Sequence, residues 1–139
     1  MAENVEVTIG SKEINEVFLE IDNLPSSLSK NGRRRSHWRK QMEDTRNLRE
    51  KCRFLLMVNY QGYEMPRFDK ARIHILEKWS NNPHDYDGLA SLVAPAIDAF
   101  VDIGVIPDDS PRYIRSYTMT HRKVPKRAEA GVEIIVMRA

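Results

Sequence analysis

The chain has 139 residues, 41% of them hydrophobic and 30% charged, with 22 Lys and Arg against 20 Asp and Glu for a formal net charge of +2. That length suits one domain able to bury about two thirds of its unfolded surface, and the balance of apolar and charged residues excludes wholesale disorder. No apolar run approaches the roughly 18 residues that cross a bilayer, and the single cysteine, Cys52, excludes an internal disulfide and is expected as a core thiol. The acidic start MAENVEVTIG lacks the basic and apolar regions of a secretion signal, so a cytoplasmic protein with one domain over residues 1–139 is expected.

In chain order, Val5, Val7 and Ile9 alternate, GSKE supplies a turn and Val17 to Ile21 forms a short apolar run. This predicts a strand pair, or one strand with an extended arm. Asn23 to Gly32, with Pro25, several serines and Asn31-Gly32, has the composition of an exposed loop. Ser36 then offers a helix cap, and Trp38, Met42, Thr45, Leu48, Cys52, Leu55, Leu56 and Asn59 recur at helical intervals until Gly62. Trp38 and Trp79 are expected in the core or in a dimer contact.

Arg72 to Trp79 reads as a strand followed by the turn Ser80 to Pro83. Leu89, Leu92, Val93, Ala96, Ile97, Phe100 and Val101 form a second helical stripe, with Asp87 placed to cap it and Gly104 to end it. Strands Tyr113 to His121 and Gly131 to Arg138 follow, separated by the basic loop Arg122 to Ala130. The order strand, helix, strand, helix, strand, strand predicts an α+β fold, a mixed sheet with helices packed against it.

Charge is unevenly spread. Arg33, Arg34, Arg35, Arg39, Lys40, Arg46, Arg49, Lys51 and Arg53 are opposed locally only by Glu43, Asp44 and Glu50. A second basic group holds Arg112, Arg115, Arg122, Lys123, Lys126 and Arg127. Such polarity suits a polyanion. Two acidic clusters bracket the second helix: Asp85 and Asp87 before it, Asp108 and Asp109 after it. Buried close together without a cation, carboxylates would raise their pKa values or destabilise the fold. Ligands that are all oxygen suit Mg²⁺ or Mn²⁺ bridging carboxylates to a substrate phosphate. Residue chemistry leaves two readings open. One is a Mg²⁺-dependent nuclease whose metal activates water against a phosphodiester; the other is a basic nucleic-acid-binding module whose aspartates are caps and turns.

The run Asp85-x-Asp87-Gly-Leu89, then Pro95-x-Ile97-Asp98-Ala99, then Gly104-Val-Ile106-x-Asp108-Asp109 resembles the signature of the RusA family of Holliday junction resolvases. The resemblance implies a RusA-like homodimer that cuts four-way (branched) DNA junctions by paired nicks with Mg²⁺, Mn²⁺ being an alternative ion. By matching positions it implies Asp85, Asp87 and Asp109 as the catalytic carboxylates, with Asp108 as an auxiliary metal neighbour. Arg33, Arg34, Arg35, Arg39, Lys40, Arg46, Lys123, Lys126 and Arg127 are the residues expected to hold DNA phosphates. Two positions depart from the family pattern: Gly88 stands where Asn is usual, and Ser91 where a catalytic lysine is usual. A serine supplies no cation to the scissile phosphate, so Lys78, His84 or a residue from Arg33 to Arg53 would have to substitute; otherwise the chain binds branched DNA with weak or lost catalysis.

Geometry adds a constraint. A continuous helix from Gly88 to Ile103 spans about 24 Å, which separates Asp87 from Asp109. Either Pro95 breaks the helix and the chain folds back, or a second subunit supplies Asp109. Asp98, about 16 Å along the axis from Asp87, is expected to pair with a basic side chain instead of sharing its metal. Of the histidines, His84 beside Asp85 is the one with a possible role, and Tyr86 is the nearest aromatic wedge for junction DNA.

Overall fold

The computed structural model describes residues 14–28 and 37–139. The expectations for Val5, Val7 and Ile9, for Asn31-Gly32, for Arg33, Arg34 and Arg35, and for Ser36 lie outside them. The described elements are β1 (Glu16–Ile21), a 3-10 turn (Ser26–Leu28), α1 (Trp38–Asn59), β2 (Ala71–Trp79), α2 (Tyr86–Ile103), β3 (Ile114–Lys123), a second 3-10 turn (Arg127–Glu129) and β4 (Gly131–Arg138). The order and the α+β class match the sequence reading.

The strands form one mixed sheet in the order β1-β4-β2-β3. β4 runs antiparallel to both neighbours, whereas β2 and β3 are parallel. Parallel neighbours require a crossover, and α2 is that crossover. Alternation decides which face is buried. Val17, Leu19 and Ile21 of β1, Ile73 and Ile75 of β2, and Val132, Ile134 and Val136 of β4 are all buried in one core with residues of both helices.

Leu89, Leu92, Val93, Ala96, Ile97 and Phe100 form the buried stripe of α2. Side chains of this size contribute about 1.5–3 kcal/mol each when fully buried. That explains why the helix runs through Pro95, which is itself buried. An interior proline costs about 3 kcal/mol, less than the stripe supplies. The break at Pro95, one of the two alternatives raised by the helix length, therefore does not occur, and the helix ends at Gly104, whose φ of 91° is left-handed.

α1 departs from its expected stripe. Leu48, Cys52 and Leu56 are buried, but Trp38 and Met42 are 58% and 62% exposed. The cap of α1 is His37, whose ring accepts the Arg39 N–H at 3.1 Å. Burial pushes the Cys52 thiol up to about 12, the mark of an inert core residue.

Candidate functional site

The start of α2 is built around Asp85. Its backbone is extended (φ −69°, ψ 172°), and its carboxylate accepts the Gly88 N–H at 2.7 Å. Asp85, not Asp87, is therefore the helix cap, because its side chain reaches back over the first turn. A Cβ at position 88 would stand 2.9 Å from the capping oxygen, so glycine leaves that oxygen its place. Asp87 lies in the first turn, where the helix dipole favours a negative charge. Both carboxylates are exposed.

The segment that carries them is pinned from below by Glu77. This residue follows Ile73 and Ile75 on the inward face of β2 and is only 5% exposed. Oε1 accepts the backbone N–H of His84 at 2.8 Å, and Oε2 pairs with the His84 ring Nδ1 at 2.5 Å. His121, which is beside Glu77 in the β2–β3 register, donates from Nε2 to the His84 carbonyl at 2.9 Å. Its Nε2 is also 3.4 Å from Glu77 Oε1. These partners fix the protons: Nδ1–H on His84 and Nε2–H on His121. The bond to Glu77 raises the pKa of His84 above its ordinary 6.5, against the opposing effect of burial. Tyr86 sets its ring edge-on to His121, centroids 5.3 Å apart. His84 and the helix start are thus tied to two strands, the kind of support a precise site requires.

Glu77 and His121 were not among the residues singled out from sequence. A signal for Glu77 exists: in ARIHILEKW it falls on the same parity as Ile73 and Ile75, so alternation places a carboxylate on the buried face. Nothing local points to His121, which meets Glu77 only through strand pairing.

Asp108 and Asp109 lie at the other end of α2, both exposed, in a turn where Asp108 accepts the Asp109 N–H at 2.9 Å. The 18 residues of the helix span about 27 Å. Within one chain the two acidic pairs are therefore apart. The electrostatic neighbours of Asp108 and Asp109 are different residues. Asp98 has its pKa raised first by burial and further by Asp109, Asp102 and Asp108, with Arg49 opposing. Burial pushes the Tyr117 hydroxyl up to about 12, with Asp109, Asp98 and Asp108 acting in the same direction. Asp98 has the expected basic neighbour, Arg49, at 4.0 Å. Among the described residues of one chain, no three His, Cys, Asp or Glu side chains come together in a way that could hold a metal ion.

The basic residues divide by what already occupies them. Arg49 makes a two-pronged contact with Asp102, both bonds 2.6 Å, and Arg53 approaches Asp102 at 3.6 Å. These arginines fasten α1 to α2. Arg39 lies over the Trp38 ring at 5.4 Å, Lys40 pairs with Asp44 at 3.4 Å, and Arg46 is exposed. Lys123 covers Trp79 at 5.5 Å, in register with it at the end of the parallel pair, while Lys126 and Arg127 are exposed just beyond. One cleft is lined by Glu77, Trp79, Asn82, His84 and Arg127, so Arg127 stands at the Asp85 end of the molecule.

Ser91, which stands where the resemblance would place a lysine, and Lys78, considered as a substitute, are both committed elsewhere. Ser91 donates its hydroxyl to the Leu28 carbonyl at 2.7 Å and holds the first 3-10 turn. Lys78 binds Glu20 at 2.9 Å and Glu133 at 3.0 Å, and neighbours Glu77 on its strand, so it points to the opposite face of the sheet.

Compared with known proteins, the chain matches no family model and no curated protein. Among the described residues no helix is long and apolar enough to cross a membrane.

Proposed function

We propose that this chain is a RusA-like, Mg²⁺-dependent endodeoxyribonuclease that works as a homodimer on four-way DNA junctions in the cytoplasm. The observation that carries this reading is the setting of Asp85 and Asp87. They stand exposed at a strand-to-helix junction that the Glu77, His84 and His121 contacts hold in place, at the same end as Lys123 and Arg127. A motif gains weight when it falls in the structural context its chemistry needs.

Mg²⁺ would be held by Asp85 and Asp87 together with Asp108 and Asp109 of a second copy, since one chain does not assemble all four. When bound it supplies a lowered pKa for the attacking water and charge neutralisation at the scissile phosphate. The chain's own work is to aim the carboxylates, and to grip phosphates with Lys123, Lys126, Arg127, Arg39, Lys40 and Arg46. Such contacts position DNA without reading its sequence. Tyr86, 62% exposed beside the acidic pair, is available to stack on an opened base step.

The second reading is a branched-DNA-binding protein of the same fold with weak or lost catalysis. It is favoured by the commitments of Ser91 to Leu28 and of Lys78 to Glu20 and Glu133, which leave only His84 and the Arg33 to Arg53 region to replace the usual lysine. A synthetic four-way junction, incubated with and without Mg²⁺ and with wild type or Asp85→Asn, separates the two. Nicking that requires both Mg²⁺ and Asp85 supports the nuclease; tight, salt-sensitive binding without nicking leaves the binding protein.

A further inference from the structure

We infer that the cleft at the carboxyl end of β2 is a nucleobase pocket, which takes one unpaired base of the DNA strand held at Asp85. The place of that base beside the cut rests on the nuclease reading; the binding of a base does not.

Topology builds the cleft. β4 is antiparallel to both β1 and β2, so β1 and β2 run in one direction and end on the same side of the sheet. The loops that leave these two strands meet there with the segment that enters β4. β2, α2 and β3 form a βαβ unit, and the crevice outside the carboxyl end of a strand in such a unit is a common ligand site. The cleft encloses about 620 Å³, within the range of small-molecule pockets.

Its lining suits a flat, uncharged ring with polar edges. Trp79 supplies an aromatic surface, Leu92 an apolar one, and Asn23, Asn81 and Asn82 supply amides. Each amide offers a donor and an acceptor side by side, the pattern that base edges present. Among the described residues these three side chains form no hydrogen bond, so binding a base displaces no partner. The one carboxylate in the wall, Glu77, has both oxygens engaged by His84.

The cleft adjoins the proposed site at two points. His84 lines it, and Asp85 is the next residue. Trp79 lines it too, and Lys123 lies 5.5 Å from the centroid of that ring. A strand gripped by Lys123 and Arg127 beside Asp85 therefore passes a base-sized opening. Bases at a branch point are the cheapest to unstack, and a base stacked on an indole and bonded along its edge is read. Phosphate contacts give no such reading. The consequence is a preference for the nucleotide adjoining the cut.

The test uses the full chain with Trp38→Phe, which leaves Trp79 as its one tryptophan. Short single-stranded oligonucleotides, abasic throughout or with one central base, are titrated without Mg²⁺ while tryptophan fluorescence is read. A base should quench Trp79 and tighten binding at least about fivefold over the abasic strand, the scale of one base stacked on an aromatic side chain. The four bases should differ. Asn81→Leu with Asn82→Leu, both on an exposed turn, should level those differences and leave binding of the abasic strand unchanged. Free dAMP, the other source of a base, should bind at least about tenfold more weakly than the strand with one adenine, because it lacks the neighbouring phosphates. With Mg²⁺, junctions that carry each base beside the cut should be nicked in the order of binding.

The inference is overturned if Trp79 answers base and abasic strands alike, if the four bases bind equally, or if the asparagine variant keeps the preference. Free dAMP that binds as tightly as the strand also overturns it, as does an order of nicking unrelated to binding. If no junction is nicked while Trp79 still distinguishes bases, the pocket stands and only the nuclease reading falls.

Discussion

Glu77 and His84 form the contact that fixes the candidate site: a carboxylate only 5% exposed accepts the His84 backbone N–H at 2.8 Å and holds its ring Nδ1 at 2.5 Å. Because this bond raises the His84 pKa above 6.5, the folded state favours the protonated ring. The sign follows by linkage: the stabilisation is fully present below the unfolded pKa and is lost as pH rises through the folded value. The charge of Asp85 adds to the rise. Urea unfolding should show stability falling as pH rises above the ordinary histidine value of 6.5. In Glu77→Gln that slope should flatten, with a loss of about 2 kcal/mol on the acid side. An unchanged slope in the variant would show that the pair does not set the pH dependence.

Asp85 has a structural role and a proposed chemical one, and substitutions separate them. Asparagine still accepts the Gly88 N–H, so Asp85→Asn should keep stability within about 0.5 kcal/mol, while Asp85→Ala should cost about 1 kcal/mol. Both should lose nicking by about 100-fold or more. Gly88→Ala sharpens the test. Alanine gains up to about 1 kcal/mol of helix propensity, but its Cβ would stand 2.9 Å from the Asp85 oxygen and displace the cap. The two effects nearly cancel in stability, so its denaturation midpoint should barely move while nicking falls. Equal stability with full activity would mean that the orientation of Asp85 is unimportant.

The Arg49–Asp102 contact should register on the acid side. Arg49 holds the Asp102 carboxyl below its ordinary 3.8. Stability from it is present above 3.8 and lost as pH falls through the lower folded value. Asp102 is 18% exposed and Arg49 42%, so solvent screens the pair, and a double-mutant cycle with Asp102→Asn and Arg49→Met should give about 1 kcal/mol. A coupling near zero would remove this contact as the fastening between α1 and α2.

Phosphate contacts are read from salt dependence. Lys123→Ala or Lys126→Ala should each reduce the slope of log affinity against log salt by about 1 for junction DNA. Lys78→Met is the control, since Lys78 is held between Glu20 and Glu133. A slope altered by Lys78→Met and not by the loop lysines would put the DNA on the opposite face of the sheet.

Local pattern carried the fold and part of the site. The alternation in β1, β2 and β4 and the stripe of α2 correspond to faces that are buried, because each is a local repeat answering one large interface. Boundaries were less legible. Periodicity marks where apolar residues recur but not which side chain reaches the first free N–H, so Asp85 and not Asp87 caps α2. Pro95 reads as a break from its own chemistry, and the surrounding burial overrides it. Trp38 and Met42 fit a helical repeat yet are exposed, because periodicity alone does not say which turns find a packing partner. Glu77 and His121 are 44 residues apart in the chain; only the parallel register of β2 and β3 joins them. The separation of Asp85 from Asp109 was legible, because the length of a helix follows from its residue count.

The measurement that tests the account most directly is a crystal structure of the protein soaked in Mn²⁺, with the ion located by its anomalous signal. The account predicts an ion between Asp85 and Asp87 of one copy and Asp109 of another. Ions elsewhere, or Asp109 remote from both carboxylates in every pairing of subunits, would contradict it.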